Sequence, residues 1–313
     1  MIEIRRILCP IDFSECSRTA VKHAMALAHA YRSEIIALHV EPVLPRWDLP
    51  PVGESELSPA PLLKMLEQFL DAPLERGRAT SLRVAEGAAA HEILRHARES
   101  AVDLIVMGTH GRTGFRRLAL GSVSENVLRK APCPVLTVRE ATALEPRRRP
   151  LFKNVLCPVD FSPASSRAVG QALALAEGAD VDLTLLHVIQ PHIDREIQKR
   201  VHFDADEYWR QLEAEAFMRM DALALPHVRG TCRVRLVTRI GSAGEEILRF
   251  AALDGADLVA MGVHGRSALR LTVFGAVAQE VVRGARCPVL TIARRAVART
   301  RDTEDAASEA VLV

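Results

Sequence analysis

Three glycines and two serines in the first half of the chain stand at a spacing that suits a phosphate group. Met107-Gly108-Thr109-His110-Gly111 closes an apolar run, nine residues follow, and Gly121-Ser122-Val123-Ser124 comes directly before a helical pattern. A glycine at the carboxyl end of a strand lets a ligand approach the backbone with no Cβ in the way, and a second one three residues on permits a tight turn. Gly121 and Ser122 stand where a helix begins. Unpaired N–H groups and the helix dipole favour an anion there, and the hydroxyl of Ser122 or Ser124 has a proton to donate to it. Taken singly, each residue also fits a plain turn or an N-cap. The combination Gly-x2-Gly-x9-Gly-Ser carries the specificity. Neither GxxxxGK[ST] nor GxGxxG occurs anywhere in the chain, so the two commonest phosphate loops are excluded.

Other reactive residue types are present without a pattern. Arg112, Arg116 and Arg117 fall between the glycine pairs, where they suit either phosphate neutralisation or a solvated face. His110 recurs as His264, but a turn histidine has no ligand or base role by default. No Walker lysine, no carboxylates at magnesium spacing and no Ser-His-Asp order with a recognisable elbow stand in the sequence, so no catalytic residues are assigned.

The elements that must position the glycines read as a duplication. Residues 8–28, LCPIDFSECSRTAVKHAMALA, match residues 156–176, LCPVDFSPASSRAVGQALALA, at 13 of 21 positions with an offset of 148. Residues 107–138 match residues 261–292 at 16 of 32 positions with an offset of 154, so the second copy holds six extra residues in its middle. This predicts two domains, 1–140 and 153–294, joined by a polar, proline-bracketed linker at 141–152 and followed by a tail at 295–313 without periodicity. In the first copy strands are expected at 6–10, 34–40, 81–85, 103–107 and 134–138, with helices at 17–31, 62–76, 91–100 and 123–129. Ser14 or Ser17 is available as the first N-cap, and the proline-rich stretch 42–61 reads as a lid or a variable loop. The second copy places strands at 154–158, 182–188, 233–238, 257–261 and 288–292, and helices at 166–177, 204–223, 245–253 and 277–283. Alternating strands and helices predict a parallel sheet covered on both faces, and the unbroken apolar runs DLIVM and DLVAM fit strands buried on both sides. Tyr208, Trp209, Phe217 and Met218 in the long helix read as core, with a partner surface as the alternative.

Composition narrows the class. With 49% hydrophobic and 26% charged residues, the 313-residue chain has material for a real core. Only 4% is aromatic, so Ala, Val, Leu and Ile must fill it. A net charge of +2 gives no general reason to expect nucleic acid or an anionic membrane as partner, and Arg147-Arg148-Arg149 reads as a solvated part of the linker. Cys9, Cys16, Cys133, Cys157, Cys232 and Cys287 form no CxxC pair and no zinc spacing; they are expected to be small buried hydrophobes in a reducing compartment. No signal-peptide core and no stretch approaching the roughly 18–20 apolar residues of a membrane span is present, so a cytoplasmic location is expected.

The glycine motif, the N-terminal strand ending Pro10-Ile11-Asp12 and the closing Pro132-Cys133-Pro134-Val135-Leu136-Thr137-Val138 together resemble the universal stress protein family. The resemblance runs through both copies, leaving out only the linker and the tail. It implies two tandem α/β domains of the doubly wound, adenine-nucleotide alpha-hydrolase-like type. Each would have a five-stranded parallel sheet ordered 3-2-1-4-5, with ATP or AMP, with or without magnesium, held between strands 1 and 4. Sheets of this kind generally bind ligands where the strand order reverses. Carried over residue by residue, Pro10, Ile11 and Asp12 would line the adenosine end and Val40 the base. Met107, Gly108 and Gly111 would approach the ribose and first phosphates, and Gly121, Ser122, Val123 and Ser124 would hold the phosphate chain. Asp160, Gly262, Gly265 and Gly275 occupy the matching positions of the second copy. Read from the residues alone, Asp12 could equally be a helix cap. The family's pairing through last strands implies that PVLTV and PVLTI join within one chain as an internal pseudo-dimer, and two chains could associate further.

The copies differ at the phosphate end, where Ala276 and Ala278 replace the two serines. A lost hydrogen bond to a charged group costs about 1.5–3 kcal/mol, roughly tenfold or more in affinity. The first copy is therefore expected to bind ATP and the second to bind weakly or to serve structurally. The expected function is that of a stress protein with ATP or AMP as a regulatory or structural ligand; slow hydrolysis or autophosphorylation rests on family analogy alone. The rival is a nucleotide-independent scaffold that uses the tandem fold to bind partner proteins.

Overall fold

Short runs rich in Val, Ile and Leu alternate with alanine-rich amphipathic segments, and the two kinds form strands and helices in strict turn. A computed structural model describes residues 4–43, 59–70, 80–111, 120–140, 151–175, 181–190, 204–224, 232–263 and 274–293. The first half runs β1 (Arg6–Pro10), α1 (Glu15–Tyr31), β2 (Glu34–Glu41), α2 (Ala60–Leu70), β3 (Thr80–Glu86), α3 (Ala89–Glu99), β4 (Leu104–Gly108), α4 (Ser122–Lys130) and β5 (Val135–Val138). The second half repeats it as β6 (Asn154–Pro158), α5 (Pro163–Leu175), β7 (Asp182–Ile189), α6 (Ala205–Ala224), β8 (Arg233–Ile240), α7 (Ala243–Leu253), β9 (Leu258–Gly262), α8 (Ala276–Gly284) and β10 (Val289–Ile292).

All ten strands belong to one sheet, ordered β3-β2-β1-β4-β5-β10-β9-β6-β7-β8. Each half is parallel and has the expected 3-2-1-4-5 order. The halves meet where β5 and β10 pair antiparallel, with Leu136 opposite Leu290. Thr137 Oγ1 donates to the Val289 carbonyl and Thr291 Oγ1 to that of Val135, each at 3.2 Å, so both sides of the seam carry the same bond. The expected pairing of PVLTV with PVLTI is this seam.

Because side chains alternate along a strand, each strand feeds two cores. Ile7, Cys9, Ile35, Ala37, Leu104 and Val106 face α1 and α2, and the same layer continues past Leu136 and Leu290 to α5 and α6. Leu8, Ile36, Leu38, Ile105 and Met107 face α3 and α4, in a layer shared with α7 and α8. Both layers run across the seam, so the halves share their cores. Phe152, at the end of the stretch read as linker, is buried in the first layer.

Several local expectations shift. The first helix starts at Glu15 rather than 17, because Ser14 is the cap and accepts from Ser17 N at 3.1 Å. In α6, Phe217 and Met218 are exposed, at 39% and 67%, and are not core. The buried stripe is Ala216, Met220 and Ala224 at i, i+4, i+8; the bulky side chains lie off that phase, and Tyr208 and Trp209 are half-buried. Cys9, Cys16, Cys133 and Cys157 are buried, as expected, but Cys232 and Cys287 are half-buried. All six are free thiols, and burial pushes Cys9 and Cys133 up to about 12, which makes them inert. No helix among the described residues is long and apolar enough to cross a membrane. The linker 141–150, Arg147 to Arg149 with it, most of the 42–61 stretch and the tail lie outside the described residues.

One buried polar group ties this packing to pH. His23 on α1 is 1% exposed, its Nδ1 faces the Thr19 carbonyl at 2.9 Å, and its Nε2 is buried without a partner. Burial lowers its pKa, against a smaller opposing effect of the Thr19 carbonyl. The unfolded chain therefore takes up this proton near pH 6.5 while the folded chain resists it. The stabilisation is complete above about pH 6.5 and is lost as pH falls toward the folded value. His23→Met should flatten the fall of the urea midpoint between about pH 7.5 and pH 5. An unchanged slope would assign the titration to another group.

Candidate functional site

The carboxyl end of β1 turns sharply. Ile11 N donates to the Leu38 carbonyl at 2.8 Å, keeping the chain beside β2 for one residue beyond Pro10. Asp12 then accepts from Ser14 N at 3.1 Å and Ser14 Oγ at 2.6 Å, which fixes the hydroxyl that caps α1. Asp12 thus buttresses the cap rather than being the cap. Between them Phe13 takes a left-handed conformation (φ 64°), a strained state for a residue with a Cβ. Its ring is held 4.7 Å from His39 and edge-on to Phe69 at 5.3 Å. His39 is buried, with Nδ1 2.7 Å from the Ile11 carbonyl and Nε2 3.2 Å from Glu41.

The carboxyl end of β4 comes up against this corner. Thr109 N donates to the Val138 carbonyl and Gly121 N to that of Thr109, each at 3.0 Å, which folds the start of α4 back over the strand end. Gly121 supplies no side-chain cap, so the first N–H groups of α4 are left for another acceptor. Ser122 is exposed at that position, while Ser124 is buried and its hydroxyl proton goes to the Gly108 carbonyl at 3.0 Å. A Cβ on Gly111 would lie 2.5 Å from Asp12 Oδ2, so the glycine turn and the Asp12 corner touch. Pro10, Ile11, Asp12, Val40, Met107, Gly108, Gly111 and Gly121 to Ser124 therefore converge on one end of the sheet, at the reversal between β1 and β4.

The glycine at the strand end has a second reason to be one. A Cβ on Gly108 would stand 2.8 Å from Cys16 Cβ, and one on Gly262 2.7 Å from Ala164 Cβ. In both halves this glycine lets the first helix lie against the fourth strand.

The second half repeats the scaffold bond for bond. Val159 N donates to Leu186 O at 2.8 Å, Ser162 N to Asp160 at 3.0 Å and Gly275 N to Val263 O at 3.0 Å. Phe161 is left-handed (φ 62°) with its ring 4.5 Å from His187, and Arg219 lies 4.0 Å over that ring. Asp160, Gly262 and Gly275 line a cavity of about 610 Å³ at the reversal between β6 and β9, a size typical of small-molecule sites. Gly265, His264, Arg112, Arg116 and Arg117 lie outside the described residues. The sequence reading passed over the Phe13–His39 and Phe161–His187 pairs. Their recurrence at the same offset of 148 was the available signal.

The chain matches the universal stress protein family over residues 3–139 and again over 151–293. It belongs to that family. A universal stress protein of Mycobacterium tuberculosis is 30% identical over 297 residues, 91% of this chain and 95% of its own length. One from Methanocaldococcus jannaschii is 39% identical over 141 residues, 44% of this chain and 82% of that protein. Among solved structures, the Archaeoglobus fulgidus universal stress protein superposes with a TM-score of 0.64 at 20% identity, covering 94% of this chain and all of that one. The fold is shared, and this chain is a tandem member with two universal stress protein domains.

The contact at Gly108 can be measured. Gly108→Ala should destabilise the protein by about 1–3 kcal/mol through overpacking. Cys16→Gly should recover part of that loss in a double-mutant cycle read by equilibrium denaturation. Full additivity would show that the helix accommodates the methyl group elsewhere.

Proposed function

We propose that this universal stress protein binds ATP or AMP in its first half and uses the nucleotide as a regulatory or structural ligand. The observation that carries the reading is the start of α4: uncapped, tied to Thr109 at 3.0 Å, and facing the touching pair Asp12 and Gly111 where the strand order reverses. Free N–H groups and the positive end of a helix dipole are what a phosphate requires. In this reading the Ser122 hydroxyl adds one donor to the phosphates. The Asp12 carboxylate accepts from ribose hydroxyls, and Val40 and Ile11 flank the base. Gly108 and Ser124 act from behind, fixing the turn that aims the N–H groups. Magnesium, where it accompanies the nucleotide, rides on the phosphates: the described residues contain no group of three or more His, Cys, Asp or Glu placed to hold a metal. The compartment proposed is the cytoplasm.

Titration calorimetry on the full chain tests this. Wild type should take up ATP at about one per chain in the first half. Ser122→Ala should weaken it roughly tenfold, the value of one hydrogen bond to a charged group. Ser122→Trp, at an exposed position, should abolish it. No binding at millimolar nucleotide would transfer the function to the scaffold reading, in which the tandem fold binds partner proteins.

A further inference from the structure

The two ligand ends share a backbone and differ in side chains, and the differences run almost all one way. Glu41, Thr109, Ser122 and Ser124 of the first half correspond to Ile189, Val263, Ala276 and Ala278 of the second. All four replacements line the 610 Å³ cavity. A fifth lies at its rim: Glu41 pairs with Glu86 across β2 and β3, and Ile189 pairs with Ile240 at the same place across β7 and β8. Ile240 is left 44% exposed. One replacement goes the other way, Pro42 to Gln190, which is exposed. Asp12 is retained as Asp160, which lines the cavity wall.

Loss of a phosphate site by drift would not require each substituted wall position to become apolar while the backbone bonds, the left-handed Phe161 and the cavity all persist. The pattern is that of a site re-tuned by charge. A polyphosphate would have to shed its hydration among Val263, Ala276 and Ala278, beside a carboxylate, and burying charge without partners is costly. An uncharged ligand gains from the same walls, and its hydroxyl groups suit Asp160 as donors to an acceptor.

We propose that the second-half cavity binds an unphosphorylated nucleoside and discriminates against its phosphorylated forms. The proposal rests on the nucleotide reading of the first half only for the choice of nucleoside as the ligand body; the selectivity comes from the five replacements. The chain then holds two sites of opposite charge preference in one sheet and reports on nucleotide and nucleoside together.

Calorimetry on the full chain carrying Ser122→Trp, which closes the first site, decides it, with adenosine and ATP as the probes. Adenosine should bind at about one per chain, at least tenfold more tightly than ATP. Adding Ala276→Trp, at an exposed position on the cavity wall, should remove the adenosine signal. The gain-of-function variant Val263→Thr/Ala276→Ser/Ala278→Ser should raise ATP affinity at least tenfold and leave adenosine within about threefold, as expected for one or more restored hydrogen bonds to a charged ligand. ATP binding as tight as adenosine in the Ser122→Trp protein would overturn the proposal, as would no adenosine binding at millimolar concentration or binding that survives Ala276→Trp in a folded protein. Adenosine held by the second half of a wild-type chain that takes up no ATP would overturn the nucleotide reading of the first half and leave this one standing.

Discussion

Three residue pairs hold the architecture together. β5 and β10 are four-residue strands with fully buried leucines at their centres, and each would otherwise be an open apolar edge, the kind that templates aggregation. Paired antiparallel to each other, they remove both edges at once and merge two parallel sheets into one. The two free edges of the ten-stranded sheet are β3 and β8, which carry Arg83 and Glu86 on one side and Arg233, Arg235 and Arg239 on the other. Charge on an edge strand discourages further pairing. The duplication thus supplies its own partner for the strand most in need of one.

That seam also explains how the halves could diverge. Since both hydrophobic layers pass through Leu136 and Leu290 or flank them, each half is a structural requirement of the other whatever it binds. Selection on the second ligand end is then separable from selection on its fold. The backbone device at each site survives in both copies: the Asp-Phe corner, the histidine tethered to the strand-end carbonyl at 2.7 Å, and the glycine amide tied to residue 109 or 263. The wall side chains, which contribute little to either core, are where the copies part.

Much of this was open to reading from the residues. The strands and helices fall within a residue or two of their predicted places wherever both ends are described, because hydrophobic period and turn residues are local properties. The duplication gave the strand order twice, and the resemblance gave the place where the site residues meet. What escaped the reading had partners far along the chain. Gly108 reads as an opening for a ligand until Cys16 is seen against it; Ser124 reads as a phosphate donor until its proton is found on the Gly108 carbonyl. Phe217 and Met218 look like core until the sheet selects the Ala216–Met220–Ala224 stripe instead.

The sequence alone determined the two-domain α/β plan, the family and the loss of hydroxyls in the second copy, since composition, periodicity and repeats are properties of a string. Only the tertiary structure decided which of those residues serve the fold and which face a ligand. It put Glu41, Thr109 and Glu86 at one end of the sheet, and in the second half gathered Ile189 and Val263 onto the wall of one cavity with Ile240 at its rim. The physical reason is that a binding surface is assembled from strand ends that lie neighbours in the sheet while standing tens of residues apart in the chain.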